Sequence, residues 1–583
     1  MKGYIGKVLR IDLNNLTSSV ESLNLLWAEK YIGGKGLAMK YIYEELPPKV
    51  DPLSPKNKMI LMTGPLTGTA VPCSGKLTIA AKSPATNTIL DCSIGGHIAG
   101  EIKYAGYDAI IIEGKAEKPV YLHIENSKVE LKSAGNLWGK GTHETEFFLK
   151  ATCGPEVKVL AIGPAGENMV PMACITSELY RQAGRGGIGA VMGSKNLKAI
   201  VVKGTNGVKV ADPKQLTARA KEIMKKDTLS DDNLWAYTDG TPIIVELSNS
   251  TGVLPTRNFQ QGTFDGFDKI HAEAVKAVRK DKKGCLSCGL GCGNYVNTGQ
   301  SVVEGPEYET LSIGGSNCGI DDLEAIVEFN KLCDDLGLDT ISTGNTIAFA
   351  MELTEKGIKD FNLKFGDVKG YLKATKNIAN KETELALGVK GLSEKYGGKE
   401  FAMQVKGLEF PGYEPRGSWG MGLAYATSDR GACHTRAWPI ADEAYGDMDP
   451  FTIEGKAELV VGLQHYNAAK FSTILCDFWA LSLETVAELL TLVTGKQYTE
   501  KDLKIIGERI VNLARMFNIR EGFDAKDDRL PQRIYKEALK TGATAEKLLP
   551  EEEFNKMLRE YYQIRGWDSE GKPTGEKLDE LAI

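Results

Sequence analysis

The run "DKKGCLSCGLGCGN" (281–294) sets Cys285, Cys288 and Cys292 in C-x2-C-x3-C spacing among glycines. Three soft thiolates this close suit an iron–sulfur cluster or zinc. Structural zinc sites usually pair two short Cys or His knuckles. No second knuckle follows here, and the nearest histidine, His271, lies fourteen residues upstream. The spacing therefore favours an iron–sulfur cluster over zinc, and either over unligated thiols. A cubane needs a fourth thiolate from distant sequence. Spacing does not choose among Cys73, Cys92, Cys153, Cys174, Cys318, Cys333, Cys433 and Cys476.

The 583 residues leave room for roughly three to four domains. Hydrophobic residues make up 42% and charged residues 25%, the usage of a soluble globular protein. The formal charge of −6 carries no concentrated basic face, so a nucleic-acid partner is not expected. The N-terminal "MKGYIGKVLRIDLNN" has no apolar core segment followed by a cleavage site. The longest apolar region, "FWALSLETVAELLTLVTG" (478–495), is interrupted by Glu484 and Glu488, which predicts a buried or amphipathic helix and no membrane span. Eleven cysteines in such a chain predict reduced thiols, some of them metal ligands, in a cytoplasmic setting.

Residues 1–205 read as strand-rich. "KVLRIDL", "KLTIAA", "AIIIEG", "VYLHIE", "VKVLAIG" and "LKAIVVKG" are β-branched or alternating runs cut by Gly, Pro and Asn. From 206 the pattern turns helical, as in "DDLEAIVEFNKLCDDLG" and "EKDLKIIGERIVNLARMFNIREGF". The stretch 413–438 reads as a Gly-rich interlude, and no fixed-period repeat is visible. The expectation is an α+β protein: a β domain over 1–205, then mainly helical domains over 206–410 and 411–583. Sixty-four glycines, several clustered, suit main chain wrapped around a large polar ligand.

Eight segments carry a resemblance. They are "YIGGKGLAMKYIYEELPP" (31–48), "TGPLTGTAVPCSGKLTIAAKSP" (63–84), "GEIKYAGYDAIIIEGKAEKPVYL" (100–122) and "RQAGRGGIGAVMGSKNLKAIVVKG" (181–204), followed by the cysteine run, "EGPEYET" (304–310), "DDLGLD" (334–339) and "DRGACHTRAW" (429–438). In their order and coverage they resemble the tungsten-containing aldehyde ferredoxin oxidoreductase family over nearly the whole chain. The resemblance implies a β domain forming a base beneath two helical domains. Tungsten or molybdenum carried by two pterin dithiolenes would lie between them, beside a [4Fe–4S] cluster. Cys285, Cys288 and Cys292 match the first three cluster ligands, and Cys476 in "FSTILC" matches the fourth. In that motif Phe471 and Ile474 replace the family's Asp and Gly. Asp334, Leu338 and Asp339 of the intact first motif match pterin contacts; Gly337 also reads as a helix terminator. Lys76 stands where relatives carry Arg, keeping a cation for a pterin phosphate without the guanidinium fork. Ser93 and Gly95, then Ala183, Gly184 and Arg185, resemble pterin and phosphate contacts, with backbone groups of both loops around a bridging magnesium. Arg430 and Arg436 are further phosphate or pterin candidates.

The family match makes Glu309 the general base and His434 the hydrogen-bond donor in oxidising an aldehyde to a carboxylic acid with water, with electrons leaving to ferredoxin. A same-fold alternative acts on an aromatic acyl thioester or another carbonyl; an alternative of another class is a zinc-stabilised protein without catalysis. Homodimeric relatives share an interfacial iron held by E-x-x-H motifs, whereas "EFNK" (328–331) ends in Lys331. That iron is expected to be missing, with a small ferredoxin-like subunit or free ferredoxin as partner.

Overall fold

The computed structural model describes residues 1–228, 230–297, 299 and 302–583, with Asp232 described by its backbone alone. The β-branched runs of the first domain become twelve strands. They are β1 (Lys7–Asp12), β2 (Thr17–Ser22), β3 (Met59–Met62), β4 (Leu77–Lys82), β5 (Ile89–Ile94) and β6 (Ala109–Glu113), then β7 (Val120–Glu125), β8 (Lys128–Ser133), β9 (Lys158–Ala161), β10 (Ile175–Ser177), β11 (Arg181–Ala183) and β12 (Leu197–Lys203). They form two six-stranded sheets, ordered β2-β1-β6-β3-β4-β5 and β8-β7-β12-β9-β10-β11. The second order is the first shifted by one six-strand unit. Directions repeat as well: β1 with β6 and β7 with β12 are parallel, and the other neighbours are antiparallel. The base is a duplicated topology that the residues do not announce.

Alternation along the strands builds three apolar layers, because successive side chains leave opposite faces of a sheet. Leu9, Leu61, Ile79 and Ile110 of the first sheet meet Leu122, Leu160 and Ile200 of the second in one shared core. Their neighbours Val8, Ile60, Ala80 and Ile111 face the other way. There they pack with the helices Gly34–Glu45, Leu483–Thr494 and Glu500–Glu521. The far face of the second sheet, with Tyr121, Val159 and Val201, is covered by Leu149 of the helix Thr142–Cys153. Both faces of the inner strands are thus buried, and β3 and β4 are buried along their whole length, whereas the edge strand β2 is exposed.

The helical part packs Leu323–Leu336, Thr340–Glu355, Val368–Ala379 and Glu551–Arg565 around one large core. The helix Lys456–Thr473 joins that core through Ala457 and Val460 and the base through Ala468 and Ala469. Two features depart from the sequence reading. A three-stranded antiparallel sheet, β13 (Arg279–Lys283), β14 (Gly293–Asn297) and β15 (Val302–Glu304), interrupts the helical region. The interlude over 413–438 holds the buried helix Trp419–Thr427. Its glycines serve contact: a Cβ on Gly422 would lie 2.8 Å from Leu549 Cδ2, and one on Gly420 3.1 Å from the Glu443 carboxylate. Among the described residues no helix is long and apolar enough to cross a membrane.

Candidate active site

β13 and β14 pair with Lys283 opposite Gly293, so the three-cysteine run is the loop of a β-hairpin. Gly291 adopts φ +57° in it. The hairpin loop rests on the first half of the base. Leu286 N–H donates to Gly96 O (3.1 Å), and Cys73 N–H donates to Ser287 O (3.0 Å). Cys476 N–H donates in turn to Cys73 O (2.9 Å), so the segment after the helix Lys456–Thr473 meets the hairpin at residue 73. Gly95 closes the site from below: a Cβ there would stand 2.8 Å from Cys285 Sγ. Burial pushes the Cys476 thiol up to about 12, with Lys76 opposing and Asp477 and Cys285 adding to the rise. Burial likewise pushes Cys292 well up, with Glu307 and Cys476 adding to it. Such thiols give up their protons when a metal takes their place. Among the described residues no three His, Cys, Asp or Glu side chains converge as ligands of one metal ion do. A cubane instead spreads four thiolates over four irons, and this donor set fits that demand.

Lys76 is ion-paired to Asp477, next to Cys476, so its charge lies at the cysteine end of the site. Lys470 is buried there too, donating to Asp477 O (3.0 Å), and burial brings its ammonium down to about 8. Arg181 reaches Glu304 Oε1 at 2.9 Å. Cys73, Asp477, Lys470 and Arg181 were not singled out from sequence. Cys73 and Arg181 lie in quoted family segments (63–84 and 181–204), whereas distance along the chain hides Lys470 and Asp477.

The second half of the base meets the "DDLGLD" turn. Cys174 N–H donates to Gly337 O (2.9 Å), Ala173 bridges Leu338, and Asp339 N–H donates to Met172 O (3.0 Å). Gly337, with φ +74°, ends the helix Leu323–Leu336, and Asp339 caps the next through the N–H groups of Ile341 and Ser342. Asp334 accepts from Gln182 Nε2 (2.7 Å) and Asn330 Nδ2 (3.0 Å), and burial holds its carboxyl well above the usual range. Arg185 spans three elements, donating to Ala432 O (2.8 Å), Glu409 O (2.5 Å) and Asp339 Oδ2 (3.4 Å). Ser93 sits half-buried in β5; Ala183 ends β11 and Gly184 follows it. The two loops touch where Cys92 Sγ–H donates to Arg185 O (3.0 Å).

Above these loops lies a buried ionic knot. Lys35 pairs with Asp91 (2.8 Å) and Asp429 (2.5 Å); Arg436 pairs with both acids, and Arg430 donates to Asp91 O (2.8 Å). Three cations face two carboxylates and the Cys433 sulfur, which Arg430 contacts at 3.0 Å, and so many cationic donors suit a pterin phosphate. A narrow cleft opens beside it, lined by Lys35, Ser428, Asp429, Arg436, Asn467 and Phe471. The residue replacing the family's second-motif Asp thus walls this cleft. Burial would push the Cys433 thiol up, but Arg430, Arg436 and Arg185 outweigh it and bring it to about 6.

Glu309 precedes a π-helical turn, Thr310–Gly315, a distortion frequent at functional sites. One carboxylate oxygen accepts from Gly412 N–H (2.8 Å). The other, buried and without a hydrogen-bond partner, stands 3.6 Å from His434 Nδ1, which also lacks one. Burial pushes Glu309 up to about 8, against Gly412 and Arg185. Burial, then Arg185 and Arg430, pushes His434 down to about 3, so its ring is neutral at neutral pH. Tyr308, Tyr413 and Trp438 wall the same side: the Tyr413 ring lies 5.1 Å from Tyr308, 5.7 Å from His434 and 5.8 Å from Trp438.

A duplicated β base, a cysteine hairpin and an acid–imidazole pair walled by rings define a redox-enzyme architecture. The family model "aldehyde ferredoxin oxidoreductase, N-terminal domain" matches residues 8–204, and the model for domains 2 and 3 of that enzyme matches 215–583. The chain belongs to the aldehyde ferredoxin oxidoreductase family. It is 42% identical to the tungsten-containing aldehyde ferredoxin oxidoreductase of Pyrococcus furiosus, across 100% of this chain and 99% of that one. It is 31% identical to the aliphatic sulfonate oxidoreductase WOR-like subunit of the same organism, across 100% and 97%. Its structure is similar to the active-site complex BamBC of benzoyl coenzyme A reductase bound to 1,5-dienoyl-CoA, with TM-score 0.86 and 26% identity across 100% of this chain and 97% of that one.

Proposed function

We propose that this protein oxidises aldehydes to carboxylic acids with water and passes the electrons to ferredoxin or a small ferredoxin-like subunit. Cys285, Cys288, Cys292 and Cys476 would hold a [4Fe–4S] cluster. Arg185, Arg430 and Arg436, with Asp334, Leu338 and Asp339, would hold the two pterins; Lys76 would serve from the cysteine end, and backbone groups of 93–95 and 183–185 would hold magnesium between the phosphates. When bound, the tungsten or molybdenum bis-pterin supplies a two-electron sink and the cluster a one-electron exit.

The observation that carries the reading is the pair of unpartnered atoms, Glu309 Oε1 and His434 Nδ1, facing each other beneath the aromatic wall. As a carboxylate, Glu309 takes a proton from the water that adds to the carbonyl carbon. The neutral His434 ring keeps one N–H, which donates to the carbonyl oxygen as negative charge develops there. Aldehyde plus water then yields acid, two protons and two electrons. The enclosed rings exclude bulk water and orient a flat carbonyl group.

A second reading, reduction of an aromatic acyl thioester, is favoured by the same ring wall. Holoenzyme from the native host decides between them. Viologen-coupled turnover with aldehydes and none with acyl thioesters supports the first; the reverse overturns it. Lys331, 3.9 Å from Glu328, stands where iron-bridged homodimers carry a histidine, so the purified protein is expected without an interfacial iron.

A further inference from the structure

The cysteine site holds a fifth thiol. Cys73 is 3% exposed, and its Sγ lies 3.9 Å from Cys288 Sγ. Its backbone clamps the two loops that carry the ligands proposed above, donating to Ser287 O (3.0 Å) and accepting from Cys476 N–H (2.9 Å). It does so with φ +53°, a left-handed conformation that a residue with a Cβ adopts only where its surroundings hold it. Thiols at 3.9 Å are in S–H···S contact, and an all-cysteine cubane takes one protein thiolate on each iron.

We propose that Cys73 is a positioning residue: it stays unligated and donates its S–H to the Cys288 sulfur. This rests on the four-cysteine cluster of the proposed function. A donor on a ligand sulfur stabilises the more negative, reduced cluster and so raises its reduction potential; hydrogen bonds to the sulfurs are one of the protein's levers on that quantity. The bond also orients Cys288 against the segment that carries Cys73.

The test is a redox titration followed by electron paramagnetic resonance, with iron counted per chain, on holoenzyme carrying Cys73→Ala, Cys73→Gly or Cys73→Ser. Gly relieves the left-handed backbone, so a folding defect in the Ala variant does not end the test. Ala and Gly are expected to keep about four irons. At the wild-type midpoint potential their reduced-to-oxidised ratio should fall three- to tenfold, about 30–60 mV. Ser, which keeps a donor, should return the ratio to within about twofold. Loss of one iron in all three variants would make Cys73 a ligand and overturn the proposal, as would an unmoved potential in both Ala and Gly. Cys476→Ala is the separate control: four irons retained there would overturn the fourth-ligand reading, whatever the Cys73 variants do.

Discussion

The two halves of the base share a strand order and direction, yet their loop ends meet different partners. Gly95 follows β5 and Gly184 follows β11, at matching places in the two units, since Ile94 pairs with Leu77 as Ala183 pairs with Ile175. The first half turns Gly95, Gly96 and Cys73 toward the cysteine loop of the hairpin. The second turns Gly184 and Arg185 toward the Asp339 carboxylate of the "DDLGLD" turn, and Arg185 also toward the carbonyls of Ala432 and Glu409. A duplicated scaffold thus offers two equivalent loop ends, and the residues on each have diverged toward thiolate and oxygen partners. The acid–imidazole pair belongs to neither half; it comes from the region that follows the base in sequence.

If that division holds, the largest effect comes from the sulfur side. Cys288→Ala should lower iron below four per chain and cut dye-linked turnover by at least about 10³-fold, because electrons lose their exit. Iron analysis and activity on the same preparation check it. On the chemical side, Glu309→Gln should keep the iron and lower turnover by about 10²–10⁴-fold. The pH profile separates the two variants. Turnover of the unaltered enzyme should climb as pH rises through about 8, where Glu309 becomes a carboxylate, and His434, at about 3, adds no limb near neutrality. Stability moves the opposite way. A carboxyl raised in the folded state stabilises below its unfolded pKa of 4.5 and loses that contribution as pH passes 8. Glu309→Gln should therefore gain thermal stability relative to the unaltered protein at pH 9 and not at pH 4.

The strands were legible because β-branched runs bounded by glycine leave few alternatives, and "KLTIAA" and "AIIIEG" fall on β4 and β6. Their duplication was hidden: register and strand order are set by pairing across distance, and the two units differ in loop lengths and residues. β13, "RKDKK", has the composition of a solvated loop and becomes a strand only because β14 lies beside it. Of the site, the three-cysteine run was readable from local spacing, while Glu309 and His434 needed the family pattern. Cys73 stood among eight indistinguishable cysteines until the turn before β4 brought it to Cys288. Asp91, Asp429 and Lys35 gave no local signal, since their pairing is tertiary.

The ionic knot gives the next prediction in size. Burial would raise the Asp429 carboxyl, but Arg436 and Lys35 overcome it and hold it well below the usual range. Asp429→Asn leaves those buried cations underpaired, at a cost of about 3–5 kcal/mol at neutral pH. Because the folded carboxyl is depressed, its contribution is present above an unfolded pKa of 3.8 and lost as pH falls below it. Thermal midpoints of the two proteins should converge only below that value, as pH falls toward the still lower folded pKa; a gap that does not narrow there would place the cost elsewhere.

The smallest effect is the sharpest probe of the two halves. Neither Gly95 nor Gly184 has positive φ, so alanine at either place carries no backbone strain. At Gly95 the new Cβ meets Cys285 Sγ at 2.8 Å; at Gly184 it meets only Asp339 Oδ1, at 3.8 Å. Gly95→Ala should therefore displace the hairpin sulfur, costing about 1–3 kcal/mol and speeding iron loss to a chelator. Gly184→Ala should change stability by less than about 0.5 kcal/mol and leave iron release as it was. Equal behaviour of the two variants would mean that the equivalent loop ends are not specialised, and that contact with Cys285 tolerates a methyl group.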